Sequence, residues 1–216
     1  MQALVVLNGD RPEAAWLAVE AGAADLVVAA DGAADAVLAA GCRPDLVVGD
    51  LDSLSAAGAA LLAEAGVPIE RHPREKDATD GELALRAALA RGATAIRIAG
   101  ALGGSRADQG IAGIMLLALP DLEGVDVALV TPTDTVRVLR GPSAHRLTGR
   151  PGDLVSLLPL GARVTGITTT GLRYALADAS LEPGLTRGLS NELLATEATL
   201  EIGAGALIVT THRAYH

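Results

Sequence analysis

The sequence predicts an α/β fold, with an N-terminal domain built on a mostly parallel sheet and a smaller all-β sandwich or barrel domain after it. Up to Val130, short apolar runs alternate with helix-length segments that end at glycine or proline. After Thr135, short strand-like segments are separated by Gly-Pro and Pro-Gly turns. We place the boundary near residues 140–143, which gives domains 1–140 and 141–216.

In the first domain, strands and helices are predicted to alternate along the chain. The predicted strands are residues 3–7, 26–30, 46–48, 68–70, 95–99 and 125–130. The predicted helices are residues 12–21, with Asp10 as its cap and Gly22 as its end, then 33–40, 56–65, 80–91 and 108–119. Strands separated by helices imply right-handed crossovers and a mostly parallel sheet covered on both faces.

The second domain is predicted to contain strands without long helices between them. The strand-like segments are residues 136–139, 144–147, 154–157, 163–168, 193–201 and 206–211. No ten-residue helical pattern separates these segments, so they predict a small antiparallel sandwich or barrel.

Composition excludes several classes of partner. No apolar run approaches the roughly 20 residues that span a bilayer, and Met1-Gln2-Ala3-Leu4 carries no basic leader. Cys42 is the single cysteine, so no internal disulfide forms, as expected in a reducing, cytoplasmic compartment. The net charge of −9 argues against a nucleic acid or an anionic membrane as partner. A phosphate ligand would therefore need a metal ion between it and the protein.

Asp50 and Asp52 follow a valine-rich strand in the segment Gly49-Asp50-Leu51-Asp52-Ser53. If the extended geometry continues past Gly49, both carboxylates leave the same face of the strand. Their repulsion would be about 1 kcal/mol at 4 Å in water and roughly 4 kcal/mol at an effective dielectric of 20. A proton or a cation would relieve it, and oxygen ligands favour Mg²⁺ over zinc. The alternative is a solvated turn in which Ser53 caps the next helix.

Further acidic residues occur where other predicted strands or loops end. Asp31 follows the second strand, Asp77 and Asp80 precede a helix, and Asp108 follows the loop after residues 95–99. The carboxyl ends of parallel strands share one edge of the sheet, where ligands bind. We therefore expect these acids to converge, and the pattern predicts a metal-phosphate site.

Two basic residues and a glycine-rich loop are candidates for phosphate binding. Lys76 is the only lysine and is either a phosphate ligand or a solvated loop residue. The loop 100–106 allows backbone N–H groups to approach phosphate oxygens, although it fits neither the P-loop nor the GxGxxG pattern. Arg106 suits bidentate phosphate contact. Gln109 could orient a nucleophile or a ligand, or could simply begin the helix.

Other polar and aromatic residues have simpler interpretations. Thr79 or Asp80 is expected to cap the helix from residue 80, with Glu82 completing a capping box. Trp16 lies on the apolar stripe of its helix and is expected in the core. The histidines show no spacing typical of metal ligands: His72, His145, His212 and His216.

Ordered blocks along nearly the whole sequence resemble the thiamin pyrophosphokinase family. In the first domain these are Ala30-Asp31-Gly32, Pro44-Asp45, Gly49-Asp50-Leu51-Asp52-Ser53, Lys76-Asp77-x-Thr79-Asp80-x-Glu82 and Gly100-Ala101-x-Gly103-Gly104…Arg106-x-Asp108. The blocks of the second domain resemble the thiamin-binding domain of that family: Val155-Ser156-Leu157-Leu158-Pro159, Gly166-Ile167-Thr168-Thr169-x-Gly171-Leu172-x-Tyr174 and Gly188-x-Ser190-Asn191-Glu192. The sequence departs from the family pattern at Ser105, Gln109 and Gly113.

The resemblance implies an enzyme that transfers a pyrophosphoryl group from ATP to the hydroxyl of thiamin and releases AMP. It implies Mg²⁺ held directly or through water by Asp31, Asp50, Asp52 and Asp80. It implies an ATP site formed by Asp31, Lys76, Thr79, Gly103, Gly104, Arg106 and Gln109. The catalytic group would be Asp50, Asp52, Asp80, Arg106 and Asp108, with Asp108 positioning Arg106 or the nucleotide.

The resemblance also implies a thiamin site in the second domain and a homodimer with its active site between subunits. Tyr174 would support the cationic thiazolium ring, and Ser190 and Asn191 would bind the aminopyrimidine or close a turn. Two other functions stay open for these residues. One is a metal-dependent nucleotide hydrolase, and the other is a non-catalytic sensor of thiamin or nucleotide.

Overall fold

The chain consists of two compact units, which meet in sequence between Pro132 and Thr133. A computed structural model describes residues 1–103 and 106–214. The sequence placed the boundary later, at residues 140–143, because Gly141-Pro142 is a strong turn signal. In the structure this turn connects two strands of the second unit, Asp134–Arg140 and Ser143–Thr148.

The first unit alternates strands and helices, as the sequence predicted. Its strands are β1 (Gln2–Val6), β2 (Leu26–Ala30), β3 (Leu46–Gly49), β4 (Ile69–Arg71), β5 (Ala95–Ala99) and β6 (Asp126–Val130). Its α-helices are α1 (Ala14–Ala23), α2 (Ala33–Ala39), α3 (Ala56–Glu64), α4 (Asp80–Ala90) and α5 (Ala107–Met115).

These strands form a parallel sheet in the order β6-β5-β1-β2-β3-β4. Val5 of β1 lies opposite Val28 of β2 on one side and Ile98 of β5 on the other. The strand order reverses at β1, and ligands bind at such switch points in open α/β sheets. Strands β1, β2 and β3 are buried along nearly their whole length, and their side chains together with those of the helices form an aliphatic core. Within the described residues, no helix is long and apolar enough to cross a membrane.

The helix ends differ from the predicted ones where local signals were weak. Helix α1 continues through Gly22 to Ala23, so that glycine does not end it, and it begins after Glu13 without a side-chain cap from Asp10. Helix α3 is capped by Ser55, whose hydroxyl accepts a hydrogen bond from the N–H of Gly58 at 2.9 Å. Ser53 is therefore not the cap of that helix.

The second unit is an antiparallel β sandwich, as the sequence predicted. Its strands are β7 (Asp134–Arg140), β8 (Ser143–Thr148), β9 (Leu154–Pro159), β10 (Val164–Thr170), β11 (Ala179–Leu181), β12 (Asn191–Glu192), β13 (Glu197–Ile202) and β14 (Ala206–His212). One sheet has the order β12-β9-β14-β7 and the other β11-β10-β13-β8. Exposed and buried residues alternate along β13, which packs its inner face into an aliphatic core.

Two neighbouring leucines of α3 provide a test of the core of the first unit. Leu62 is fully buried, whereas Leu61 is 50% exposed. We expect Leu62→Ala to lower the free energy of unfolding by about 2–5 kcal/mol, because it leaves a cavity among packed side chains. Leu61→Ala, the matched control, should change it by less than about 1 kcal/mol. Urea unfolding of both variants checks this, and equal losses would contradict the packing of α3.

Candidate active site

A cavity of about 610 Å³ opens at the carboxyl edge of the parallel sheet. Residues that follow successive strands line it: Asn8 after β1, Asp31 after β2, Asp50 and Asp52 after β3, and Gly100 after β5. The start of α4 and the first turns of α5 complete the lining. The predicted convergence of strand-end acids is therefore found for Asp31, Asp50, Asp52 and Asp80.

A tight turn after β3, and not a continued strand, brings Asp50 and Asp52 together. Leu51 between them has a left-handed backbone with φ 67°, so the extended geometry assumed from the sequence is wrong. The carboxylate of Asp50 accepts a hydrogen bond from the N–H of Asp52 at 3.1 Å. The hydroxyl of Ser53 donates to the carboxylate of Asp52, also at 3.1 Å. The turn thus fixes both carboxylates at the mouth of the cavity.

Asp31 is the buried member of the acidic group. Its residue is 6% exposed, and its Oδ1 is enclosed without a hydrogen-bond partner. Gly49 allows this close approach, because a Cβ at that position would lie 3.0 Å from the Cβ of Asp31 and from Oδ1 of Asp80. Burial raises the pKa of Asp31, and the negative charges of Asp80 and Asp50 raise it further.

Asp31, Asp50 and Asp52 each offer a carboxylate oxygen, and these oxygens all lie within 4.8 Å of one another. Such a set suits a hard divalent cation, which takes oxygen ligands and retains several waters when it is Mg²⁺. The enclosed, unpartnered Oδ1 of Asp31 supports the same interpretation, since a buried acceptor without a partner destabilises the fold. The group does not include Asp80, although that residue lines the cavity.

Lys76 balances part of the negative charge. Its Nζ lies 3.1 Å from Oδ1 of Asp80 and 3.5 Å from Oδ2 of Asp50, and its side chain is 14% exposed. Burial alone would lower the pKa of Lys76, but its pairing with Asp80 and Asp50 outweighs that effect and raises the pKa. The hydrogen bond from the N–H of Asp52 lowers the pKa of Asp50, and the positive charge of Lys76 lowers it further. Lys76 is therefore part of the site and not a solvated loop residue.

The start of α4 holds Asp80 at the cavity. Thr79 is the cap, since its hydroxyl accepts a hydrogen bond from the N–H of Glu82 at 3.2 Å. The carboxylate of Glu82 pairs with Arg86 at 3.0 Å on the surface of the helix. Thr79 therefore fixes the first turn of α4, and both Thr79 and Asp80 face the cavity.

At the start of α5, Arg106 and Asp108 form a bidentate ion pair, with 3.1 Å between Nε and Oδ1. This pair lowers the pKa of Asp108. Arg106 lines the cavity together with Gln109, whereas Asp108 does not, so Asp108 positions the guanidinium from outside. Gly103 lines a neighbouring cavity instead. Gly104, another predicted phosphate ligand, lies outside the described residues.

Two residues that line the cavity, Asn8 and Arg74, were not predicted from the sequence, and Asp77, like Asp108 and Gly103, was predicted but does not line it. Asn8 lines the cavity, and the strand-end rule applied to β1 would have found it. Arg74 also lines it, with its Nε 3.8 Å from Oδ2 of Asp52. Its only sequence signal is a position two residues before Lys76. Asp77 was expected to converge with the other acids, but it is not among the lining residues.

In the second unit, Asn191 holds the backbone at Tyr174. Its side-chain oxygen accepts the N–H of Tyr174 at 2.9 Å, and its side-chain nitrogen donates to the carbonyl of Tyr174 at 2.8 Å. Asn191 is buried, whereas Tyr174 is 66% exposed. Ser190 has φ 56° and donates its N–H to the hydroxyl of Ser156 at 3.0 Å. The amide of Asn191 is thus engaged within the unit, and the ring of Tyr174 is available to a ligand.

The raised pKa of Asp31 gives a prediction about stability. A folded-state pKa above the unfolded value stabilises the fold at low pH, and this contribution is lost as pH rises through the folded pKa. We therefore expect Asp31→Asn to melt above the parent protein at pH 8 in EDTA. The difference should shrink as pH falls towards about 4, near the unfolded pKa of an aspartate. Asparagine tolerates the left-handed backbone of φ 49° at this position.

Thermal melts across this pH range, with Asp121→Asn as a matched surface control, test this expectation. Asp121 pairs with Arg86 at the surface, so that variant should show no such trend. A lower melting temperature for Asp31→Asn at pH 8 would contradict the burial of a charged carboxylate at this site.

Comparisons of the sequence with family models and with known proteins all indicate the same family. Residues 19–129 match the thiamin pyrophosphokinase catalytic domain, and residues 144–207 match the thiamin pyrophosphokinase vitamin B1 binding domain. The thiamine pyrophosphokinase of Bacillus subtilis is 28% identical over 170 residues, which cover 79% of each chain.

Solved structures of thiamin pyrophosphokinases match this chain over its full length. The crystal structure of thiamine pyrophosphokinase from Bacillus subtilis has a TM-score of 0.88 and 25% identity, and that of a thiamin pyrophosphokinase family protein from Enterococcus faecalis has 0.85 and 27%. Both comparisons cover 100% of each chain. The enzyme from Candida albicans, at 18% identity, shows the same fold with a TM-score of 0.85 over 99% of this chain and 89% of its own. The chain belongs to the thiamin pyrophosphokinase family.

Proposed function

We propose that this protein is a thiamin pyrophosphokinase, which transfers a pyrophosphoryl group from ATP to the hydroxyl of thiamin and releases AMP. The observation that carries the proposal is the group of three carboxylates beside Lys76, in the cavity of a chain of this family. A triphosphate substrate requires acidic side chains that hold its metal ion and basic side chains that bind its phosphates.

The residues present fit a bound Mg²⁺. Asp31, Asp50 and Asp52 would hold it, and Asp80 would contribute through a water molecule, because its Oδ1 already pairs with Lys76. When bound, the ion would neutralise charge on the phosphate oxygens and orient them. The protein's own task is to hold these carboxylates in place and to keep Asp50 ionised. The lowered pKa of Asp50 and the turn at Leu51 serve that purpose.

Basic side chains would hold the phosphates of ATP. Lys76 supplies a nearly buried ammonium group, and Arg106 supplies a planar guanidinium that Asp108 orients. Arg74, at the open side of the cavity, can reach the same anion. Such preorganised charges stabilise negative charge that develops during transfer without further rearrangement. Gln109 and the hydroxyl of Thr79 would complete the contacts.

In the transfer, the hydroxyl oxygen of thiamin forms a bond to the β-phosphorus of ATP. The bond from the β-phosphorus to the oxygen that bridges to the α-phosphate breaks, and AMP leaves with that oxygen. The hydroxyl proton passes to a carboxylate of the acidic group, which must therefore be ionised. Asp50 is ionised over the whole neutral range, because its pKa is lowered.

Thiamin would bind against Tyr174, whose exposed ring offers a face to the thiazolium cation. In this proposal Asn191 positions Tyr174, and Ser190 bonds the aminopyrimidine. The protein would act in the cytoplasm as a homodimer, with each active site formed between subunits. Ile111 and Met115, which lie one turn apart on α5 and are both exposed, would suit a contact with a second copy of the chain.

A product assay with ATP, Mg²⁺ and thiamin tests the proposed function. We expect AMP and thiamin diphosphate in equal amounts. ADP with free phosphate would indicate a hydrolase instead, and binding of both substrates without turnover would indicate a sensor. Either result would contradict the proposed reaction.

Asn substitutions at Asp50 and Asp52 test the acidic group. Each should lower kcat by at least about a hundredfold, because a ligand charge is lost. Asp52→Asn should melt near the parent protein. Asp50→Asn should melt somewhat lower, since a lowered folded-state pKa contributes stability at all pH values above the unfolded pKa.

Asp121→Asn is the matched control for these variants and should retain full activity. Full activity of Asp50→Asn and Asp52→Asn would remove these carboxylates from the chemistry. Loss of activity accompanied by a large fall in melting temperature for both variants would instead assign them a structural role.

A further inference from the structure

A second cavity, of about 310 Å³, borders the acidic cavity and has no part in the mechanism above. Gly100 lines both cavities. We propose that this second cavity binds the adenine base of ATP, that Trp16 is the side chain on which the base stacks, and that the site selects adenine over guanine. The inference rests on the proposed function, since it assumes a nucleotide whose phosphates lie in the acidic cavity.

The two cavities lie along one pair of hydrogen-bonded loops. The loop after β1 joins the loop after β5 through the N–H of Gly9 to the carbonyl of Gly100 at 2.7 Å, and the N–H of Asp10 to the carbonyl of Leu102 at 3.1 Å. Backbone contact this close requires glycine, because a Cβ at Gly100 would lie 2.3 Å from the carbonyl oxygen of Leu7. Because Gly100 lines both cavities, a ligand longer than one cavity would pass Gly100, with one end near the carboxylates and the other near Trp16.

The lining of the second cavity suits a flat aromatic ring. Trp16 is half-buried, since it packs against the core on one side and lines the cavity as well. Leu102, Val130 and Pro132 supply further apolar surface. A cavity of this volume is at the lower end of the range for small ligands, which matches a part of a nucleotide and not the whole. The expectation from the sequence that Trp16 is simply a core residue is thus incomplete.

Charge decides which end of a nucleotide lies in each cavity. Asp10 and Glu13 line the second cavity with Arg11, so it carries more negative than positive groups. Phosphates are thereby directed to Lys76 and Arg106 and away from Trp16. Glu13 does not cap α1 with its side chain. A carboxylate only accepts hydrogen bonds, so Glu13 would favour the exocyclic amino group of adenine and disfavour the carbonyl that guanine presents at the same position.

Binding measurements separate the base from the phosphates. Calorimetry with Mg²⁺ and either ATP or inorganic tripolyphosphate gives dissociation constants without any turnover. We expect Trp16→Ala to weaken ATP binding about tenfold to a hundredfold, as for loss of one base–aromatic stack, and to leave tripolyphosphate binding within twofold. Trp16→Phe should restore most of the affinity. Val19→Ala, on the same helix and 70% exposed, is the control and should change neither constant.

The single tryptophan provides a direct signal. Saturation of the parent protein with ATP should change the emission of Trp16, and saturation with tripolyphosphate should leave it nearly unchanged. In turnover, Trp16→Ala should raise KM for ATP while KM for thiamin stays within twofold. Glu13→Gln should reduce the preference for ATP over GTP by about tenfold.

Equal effects of Trp16→Ala on ATP and tripolyphosphate binding would overturn the inference, as would an emission change that tripolyphosphate reproduces in full. These outcomes do not depend on the reaction. A protein that binds ATP through Trp16 but makes no thiamin diphosphate would refute the proposed function and retain the adenine site. Full thiamin pyrophosphokinase activity together with unchanged ATP binding in Trp16→Ala would support the proposed function and refute the adenine site.

Discussion

The site depends on one electrostatic constraint, which is that four carboxylates share a small volume with a single nearly buried ammonium group. Lys76 pairs with both Asp50 and Asp80, and its raised pKa keeps it charged throughout the neutral range. It cannot offset Asp31 as well, whose pKa rises through burial. The negative charge that Lys76 does not compensate is therefore at Asp31, beside Asp50 and Asp52. An uncompensated group of carboxylates of this kind suits a divalent cation, as proposed above.

Backbone geometry makes this arrangement possible. Asp31 and Leu51 both have left-handed backbones, which redirect the chain sharply at the ends of β2 and β3. Gly49 has no side chain to separate Asp31 from Asp80. Strained positions of this kind are stable only where the surrounding structure determines them, and they cluster at functional sites. Strands β2 and β3, whose residues are all buried, supply that support.

Alternating hydrophobic patterns sufficed to predict both folds, most strands and the convergence of Asp31, Asp50, Asp52 and Asp80. They could not predict the turn at Leu51, because a left-handed leucine has no local signal. They also could not show that Asn191 bonds to the backbone of Tyr174, since that pairing joins positions 17 residues apart. The boundary was misplaced because a Gly-Pro turn marks a hairpin as readily as a linker. Trp16 was assigned to the core because periodicity reports one buried face and not a cavity beside it.

The neighbouring cavities suggest how one sheet edge can treat the two ends of a nucleotide differently. The carboxylates of Asp31, Asp50 and Asp52 follow β2 and β3, on one side of the switch point at β1. Leu102 follows β5 and Val130 ends β6 on the other side. The paired loops after β1 and β5 border both regions, and Gly100 lines both cavities. A ligand that spans them must cross the switch point, as dinucleotides do in doubly wound folds. Orientation would then follow from the order of the strands, because reversing the nucleotide would bring phosphates to Asp10 and Glu13 and leave the acidic group at Asp31 facing a base.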